Sequence, residues 1–493
     1  MLGEYRIEGR RAAEIAASVE RAVGGGDLEP GQLLPPMREL AERLGVNPNT
    51  VAAAYRTLRE RGVIETAGRR GSRIRPKPAT TVRELIRVDV PAGVRDVSNG
   101  NPDTALLPSL AQVFAAAAAE GDRRPVLYGE EAVDPEMARH ARVALDEDGV
   151  PDGPVAVTSG SLDAIERVLA AHLKPGDAVA VEDPGWGSLL DLMPVLGLRT
   201  VPVGVDDEGP LPADTENALR GGVRALIVTD RAQNPTGAAI SAPRARALRK
   251  VLSAHKDVLL VEDDHGHAIV DLPLHPLAGV TRSWAFIRST AKAYGPDLRL
   301  ALLTGDAVTV DRVQGRQRLG PGWVSHISQR AVVRLWTEGA VNTGAVAASY
   351  GRRRDALIAA LARRGVTAHG RSGMNVWIPV PDETGAVARL LHAGWAVAPG
   401  ARFRMGARPG VRITVSTLGD EDIEVVGGGG AGGPPRPPPP RAPGGGGRAA
   451  PSAGARGGPP IWRGGRPPPP PPPRARSRAA LRVSGLPRAI ARP

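Results

Sequence analysis

The clearest chemistry in the chain lies in Ser289-Thr290-Ala291-Lys292-Ala293-Tyr294-Gly295-Pro296-Asp297-Leu298-Arg299. A lysine amine confined among small and hydroxyl residues can attack a carbonyl and hold it as a Schiff base. Arg299, seven positions on, supplies a fixed cation for a phosphate on that same carbonyl compound. A lysine and an arginine at this spacing are common in any protein, so their meaning depends on the rest of the chain.

Other chemistry-bearing residues occur in a definite order. Thr158-Ser159-Gly160-Ser161 follows an apolar run and opens a helical stretch, where backbone N–H groups and hydroxyls can cradle an anion. Glu182-Asp183-Pro184-Gly185-Trp186-Gly187 follows the next apolar run, and places a tryptophan there in a chain only 3% aromatic. Gln233-Asn234-Pro235-Thr236-Gly237 has turn chemistry. Val261-Glu262-Asp263-Asp264-His265 ends another apolar run on carboxylates. Tyr128-Gly129, Asn101-Pro102 and Arg412-Ile413-Thr414-Val415 complete the set, and arginine's planar fork suits a carboxylate. His265, His267 and Asp263 could be grouped as metal ligands, but no metal site is expected.

These residues need a scaffold. Residues 96–426 alternate short apolar runs with helical stretches, the rhythm of βαβ units. Val155–Thr158, Ala178–Val181, Arg224–Thr229 and Val258–Glu262 are expected strands. Asp420–Val426 reads as the opening of a helix. From Gly427 the composition collapses into Gly, Pro and Arg, and residues 427–493 are expected to stay disordered. That tail is read as an aberrant extension, with a polyanion-binding linker as the alternative.

Composition narrows the classes further. The net charge of +12 comes from the tail: residues 427–493 hold 12 Arg and no acidic residue, and the remainder is formally neutral. The high pI therefore carries no information about DNA binding by the folded part. With no Cys, disulfides, thiolate metal sites and thiol nucleophiles are excluded. No apolar run is long enough for a membrane span, and a cytoplasmic protein is expected.

Residues 1–75 hold 13 Arg and 10 acidic residues and show helical periodicity. Arg38–Gly45 reads as a helix ending at its glycine. Asn47 can cap a second helix that Pro48 opens. A helix, a short turn and a second helix make a helix-turn-helix. Val63–Thr66 and Arg73–Arg75 read as the strands of a wing whose tip is Ala67–Ser72. Pro76–Arg95 is the connector.

The head resembles the GntR family of winged helix-turn-helix proteins. The matching residues run from Leu34-Pro35-Pro36-Met37-Arg38-Glu39-Leu40-Ala41 through Leu44-Gly45-Val46-Asn47 to Thr50-Val51, Ala54-Tyr55, Leu58 and Gly62. That resemblance implies Arg38, Asn49, Thr50, Arg56 and Arg70 as contacts to an operator in double-stranded DNA. Pro36 stands where the family usually has Ser.

Residues 96–426 resemble the fold-type I, aspartate-aminotransferase-like domain, an α/β fold with large and small subdomains that binds pyridoxal 5′-phosphate (PLP). The resemblance implies that Lys292 carries the cofactor, and that Ser159, Gly160, Ser161, Ser289 and Arg299 hold its phosphate. It implies Trp186 stacked on the ring, Asn234 on the 3′-oxygen and Asp263 under the pyridine nitrogen. His265 replaces the tyrosine often found beside the 3′-oxygen. Tyr128 would reach a phosphate across a dimer interface, Arg412 would grip an α-carboxylate, and Asn101 would belong to an arm covering the site.

A GntR-type head joined to such a domain is the layout of the MocR subgroup. The resemblance implies a homodimer with swapped heads that regulates transcription in response to PLP or an amino compound. The alternative is an aminotransferase that carries a DNA-binding head. A third reading makes the large domain a mere dimerisation scaffold.

Overall fold

The computed structural model describes residues 7–427, apart from 26, 30, 61–62, 67–70, 75–82, 84–85 and 87. The head is formed by α1 (Ala12–Gly25), α2 (Met37–Leu44), α3 (Pro48–Glu60), β1 (Ile64–Thr66) and β2 (Ser72–Ile74). Its core gathers Ile15, Val19, Leu40, Val51, Tyr55, Leu58, Ile64 and Ile74. Helix α2 stops because Gly45 turns left-handed, at φ 63°, and returns its N–H to the last carbonyls of the helix. Asn47 Oδ1 accepts from Asn49 N at 2.8 Å, so the expected cap starts α3. Pro36 caps α2 with no side-chain bond, the cost of having no hydroxyl there. The wing strands pair antiparallel, with Ile64 opposite Ile74. The wing-tip residues 67–70, Arg70 among them, lie outside the described residues.

The remainder runs in this order: β3 (Arg95–Asp96), α4 (Ala111–Arg123), α5 (Pro135–Glu147), β4 (Val155–Thr158), α6 (Ser161–His172), β5 (Ala178–Asp183), α7 (Gly187–Val195), β6 (Arg199–Asp206), β7 (Gly209–Pro210), α8 (Pro212–Arg220), β8 (Ala225–Arg231), α9 (Ala242–Ser253), β9 (Leu259–Asp264) and β10 (Ser283–Ser289). Next come α10 (Ala291–Tyr294), β11 (Ala301–Gly305), α11 (Ala307–Arg318), α12 (His326–Thr337) and α13 (Thr343–Ala362). The smaller subdomain adds β12 (Asn375–Pro379), α14 (Glu383–His392), β13 (Trp395–Ala396), β14 (Ala398–Pro399), β15 (Gly410–Thr414) and α15 (Asp420–Gly427).

One eight-stranded sheet of order β4-β11-β10-β9-β8-β5-β6-β7 organises the large subdomain. Strands β10, β9, β8, β5 and β6 are mutually parallel. Helices cover both faces, so the strands read as apolar runs; every residue of β5 is buried. Ile165 and Val168 of α6, Leu190 of α7 and Val310 of α11 pack one face. Leu219 of α8 and Leu248 and Leu252 of α9 pack the other.

The small subdomain is an antiparallel β12-β15-β14 sheet, and β13 pairs with β3. The helix expected from Asp420 is α15, whose Ile423 is buried against the main core. Arg95 Nη1 donates to Asp422 Oδ1 at 2.7 Å and ties this helix to β3.

Two carboxyl groups, Asp230 and Glu262, meet inside the apolar layer beneath α9. Both are fully buried side chains of neighbouring strands, and Leu277 N donates to Glu262 Oε1 at 2.5 Å. Burial pushes both carboxyls up, Glu262 to about 7, and the Glu262 charge raises Asp230 further, so protonation of the pair is favoured toward neutrality. A raised carboxyl pKa gives stability that is full below the unfolded value and fades as pH climbs to about 7. Asp230→Asn removes one titratable group from this buried pair and supplies a permanent N–H donor. It is expected to be more stable than wild type by on the order of 1 kcal/mol at pH 8 and to gain less at pH 5, by urea titration at both pH values.

Candidate cofactor and ligand site

The catalytic-type residues come together because of strand order. In a parallel sheet, loops at the carboxyl ends of neighbouring strands face one crevice. Strand β4 ends at Thr158 and delivers Ser159–Ser161; β5 delivers Trp186; β8 delivers Asn234; β9 ends at Asp264 with Asp263 and delivers His265; β10 ends at Ser289 and delivers Lys292. From the small subdomain, β15 brings Arg412. A cavity of about 390 Å³ results, and Asn101, Trp186, Asn234, His265, Lys292 and Arg412 line it.

The residues expected to hold a phosphate gather at the start of α6, off the lining of that cavity. Gly160 precedes the helix at φ 105°, and a Cβ there would lie 2.7 Å from Arg299 Nη2, so only glycine lets the guanidinium close over the helix start. Arg299 is itself left-handed, at φ 46°, and donates from Nη2 to Ser159 O at 2.8 Å. Ser159 N is taken by Asp163 Oδ2 at 2.9 Å. Ser161 Oγ is buried at this helix start without a hydrogen-bond partner. Ser289, at the end of β10, is buried and its Oγ accepts from Ala291 N at 3.3 Å, fixing the turn into the Lys292 helix.

At the ring end, His265 Nε2 lies 2.9 Å from Asp263 Oδ2. The other oxygen of Asp263 and Nδ1 of His265 are both buried without partners. Trp186 meets the His265 ring edge-on, with centroids 5.1 Å apart. A buried polar atom with no partner costs about 1–3 kcal/mol. The orphans at Ser161, Asp263 and His265 are a hydroxyl beside a cation, a carboxylate and an imidazole. This donor set fits the phosphate, pyridine nitrogen and 3′-oxygen of PLP.

The ligand end is held by the arm. Lys292 Nζ donates to Gly100 O at 2.9 Å, and Arg412 Nη2 to Ser98 O at 2.5 Å. Arg412 Nη1 also donates to Asn234 Oδ1 at 2.9 Å, joining two expected site residues directly. Ser98, Arg402 and Phe403, unmarked in the sequence, also line the cavity. Their signal was faint: Arg402-Phe403 precedes Arg412 in a Gly- and Arg-rich stretch with no periodicity to mark it.

Tyr128 stands apart. It is 95% exposed and packs edge-on to Trp323 with centroids 5.7 Å apart, outside the cavity. The expected DNA-facing residues Arg38, Asn49 and Arg56 are exposed on α2 and α3, and Thr50 is half-buried. Among the described residues, Asp148, Asp264 and His267 also bring ligand-type atoms within 4.8 Å of one another. Both carboxylates there already pair with Arg288, at 2.5 and 3.2 Å, so the group is a salt-bridge cluster rather than a cation site. No helix among the described residues is long and apolar enough to cross a membrane.

A doubly wound domain with a lysine, a phosphate-type helix start and a ring-facing carboxylate at the strand ends defines a PLP-binding domain of the aminotransferase kind. Comparison with known proteins agrees. Residues 93–427 match the aminotransferase class I and II family, and residues 11–74 match the bacterial regulatory proteins of the gntR family. The chain belongs to both families at once, as a MocR-type regulator with a GntR head on an aminotransferase-like body. It is 39% identical over 425 residues, 85% of this chain and 97% of the relative, to the vitamin B6 salvage pathway transcriptional repressor PtsJ of Salmonella typhimurium. It is 31% identical to the pyridoxine biosynthesis regulator PdxR of Corynebacterium glutamicum, over 61% of this chain and 64% of that one. A mutant aspartate aminotransferase of Thermus thermophilus superposes with a TM-score of 0.61 at 26% identity, over 69% of this chain and 96% of that one.

Proposed function

We propose that this protein is a PLP-binding transcription regulator that controls vitamin B6 genes, switched by PLP or by an amino compound that meets the PLP at Lys292. One observation carries the reading most: a complete cofactor crevice and a DNA-reading head share a chain that aligns with 97% of a B6-pathway repressor. The proposed division is a head of 1–75, a connector of 76–95, a PLP domain of 96–426 and a tail from 427. Double-stranded operator DNA would be read by Arg38, Asn49, Thr50, Arg56 and Arg70, and the working form is a homodimer in which Tyr128 completes the partner's phosphate site.

When bound, PLP supplies an aldehyde and an electron-accepting ring. The residues of the chain supply the rest. Arg299, Ser289 and the Ser159–Ser161 helix start bind the phosphate. Asp263 holds a proton on the pyridine nitrogen, and Lys292 presents its amine to the aldehyde. His265 would donate to the ring oxygen where a phenol is usual. Arg412 orients a ligand carboxylate, and the arm residues 98–101 leave Lys292 and Arg412 as ligand arrives.

Coupling to the head runs through the connector. Arg83 N donates to Asp191 Oδ2 at 2.5 Å, and its guanidinium donates to Ala401 O and Arg404 O, each at 3.1 Å. Those carbonyls bracket Arg402 and Phe403 of the cavity wall. A ligand that moves this wall changes the seat of the connector, which gives the two states the different affinities that switching requires. Arg83→Ala is expected to keep operator affinity within about threefold while cutting the PLP-dependent change in that affinity by about fivefold or more, a loss of roughly 1 kcal/mol of coupling. Mobility shifts with and without PLP measure both.

The aminotransferase reading retains one supporting observation, the presence of Lys292, Asp263, Asn234 and Arg412 around one crevice. A mobility shift on the intergenic DNA beside this gene, run against steady-state transamination, separates the readings. Operator binding changed by PLP or an amine supports regulation. Turnover with a 2-oxo acid at about 1 s⁻¹ or more, with no such change, supports the enzyme.

A further inference from the structure

Gln233 lies outside the cavity lining, yet its side chain is fully buried behind it. Its Nε2 donates to Glu182 Oε2 at 3.1 Å and to Pro184 O at 2.9 Å. Its Oε1 accepts from Thr236 N at 2.9 Å and from Thr236 Oγ1 at 2.6 Å. Both N–H bonds and both lone pairs of the amide are therefore used. Glu182 is buried as well, and it also accepts from Thr229 N and Thr229 Oγ1, each at 3.0 Å. The backbone explains why side chains are needed here. The β5–β8 ladder stops at Val181 opposite Ile227, one residue before Glu182, and β8 slips register against β9 between Thr229 and Arg231. Where the ladder ends, the Glu182 carboxylate and the Gln233 amide hold the two strands' loops together instead. Those loops carry Trp186 and Asn234 to the cavity, and Thr229 stands opposite Asp263 in the β8–β9 ladder. Ala232, just before Gln233, is left-handed at φ 56°. A non-glycine residue stays there only where its surroundings over-determine it, as they do at ligand clamps.

We propose that Gln233, seated on Glu182, is a positioning residue that fixes the spacing between Trp186 and Asn234, and so the slot into which a cofactor ring fits. This assignment rests on the reading that PLP occupies the crevice. Neither Gln233 nor Glu182 would touch the cofactor. Gln233 acts through Pro184 O on the turn that ends in Trp186, and through Thr236 on the turn that holds Asn234. A site of this kind works only when supporting hydrogen bonds keep its contact residues in register. The direction of each bond matters: Pro184 O can only accept and Thr236 N can only donate, so an amide fits at position 233 and a carboxylate does not.

The test uses the full-length protein, with and without PLP, as wild type, Gln233→Ala, Gln233→Glu, Thr229→Val and the double variant Glu182→Gln with Gln233→Glu. Three quantities are measured: PLP affinity, the visible circular dichroism per bound cofactor, and the melting temperature without PLP. The dichroism reports how firmly one ring orientation is held, which fold stability alone does not set. Gln233→Ala should weaken PLP binding by about tenfold and lower the dichroism per bound cofactor. Gln233→Glu should lose at least as much, because a second carboxylate faces Glu182. The double variant should recover part of both, since it exchanges donor and acceptor across that bond. Thr229→Val removes a single bond to Glu182 and should show the same effects in smaller measure; it decides the matter if Gln233→Ala does not fold. Wild-type affinity and dichroism in the folded variants, even with a lower melting temperature, overturn the positioning role and leave the PLP site intact. A wild-type protein that takes up no PLP overturns the reading of the crevice itself, and the role of Gln233 with it.

Discussion

Lys292→Ala should be colourless after reconstitution with PLP, and its operator binding should no longer change when PLP is added. Among the described residues on the cavity wall, Lys292 is the one that carries a primary amine, and the phosphate-binding groups alone would hold the cofactor without fixing its ring. Retention of PLP should fall by about a hundredfold or more, since a covalent link is lost while Arg299, Ser159 and Ser161 remain. Operator affinity in the absence of PLP should match wild type, because α3 and its neighbours have their own core. Absorbance after gel filtration and mobility shifts check both halves. A variant that stays yellow, or one that still responds to PLP, would show that the cofactor reaches the head by another route.

Asp264→Ala should be the most damaging change to the fold. The carboxylate is fully buried and faces two arginines. Arg231 grips it with both ends, Nε to Oδ1 at 3.1 Å and Nη2 to Oδ2 at 2.7 Å, and Arg288 Nε adds a third bond at 3.2 Å. Arg288 continues to Asp148 at 2.5 Å, so one cluster joins β8, β9, β10 and the end of α5. Removing one partner of a buried ion pair strands its charge, at a cost of about 3–5 kcal/mol. Against a total of roughly 5–15 kcal/mol, the variant should melt far below wild type or fail to accumulate folded. Asp264→Asn should lose less, because it keeps the acceptor.

The same carboxylate sets an acid limit. Burial would raise its pKa, but the charges of Arg231 and Arg288 outweigh burial and hold it well below the carboxylate range. A depressed pKa gives stability that is present above the unfolded value, near 4, and lost as pH falls below it. His267 beside it is pushed down to about 3, chiefly by burial, and stays neutral until the same acid range. Wild type should therefore show a steep acid transition that is shallower in Asp264→Asn. Thermal melts between pH 3 and 6 give the comparison.

The local parts of this protein were legible in the order of its residues. A glycine that ends α2, an asparagine that caps α3 and a proline that opens it act within a few positions of themselves, so spacing alone placed the head. The apolar runs that became β4, β5, β8 and β9 were visible because strands covered on both faces read as nearly continuous apolar runs. The chemical motifs were visible too, since each follows a strand directly, and their succession pointed to PLP. Arg70 and the tail from 428 lie outside the described residues.

Other features depended on which distant segments touch, and only the tertiary structure decided them. Ser98, Arg402 and Phe403 belong to the cavity because β3 pairs with β13 and β15 runs beside β14. Arg83 reaches Ala401 across more than three hundred positions. Of the adjacent carboxylates Asp263 and Asp264, alternation along β9 sends one toward the cofactor crevice and the other into a salt-bridge cluster, a difference that identical residue types cannot announce. Lys292 illustrates both halves: its type and neighbours pointed to the cofactor, while its bond to Gly100 O, 192 positions away, was set by the fold. Sequence determines what is adjacent within a turn or a strand. Which charges share a buried acceptor depends on folding, because burial and long-range approach set the strength of every such bond.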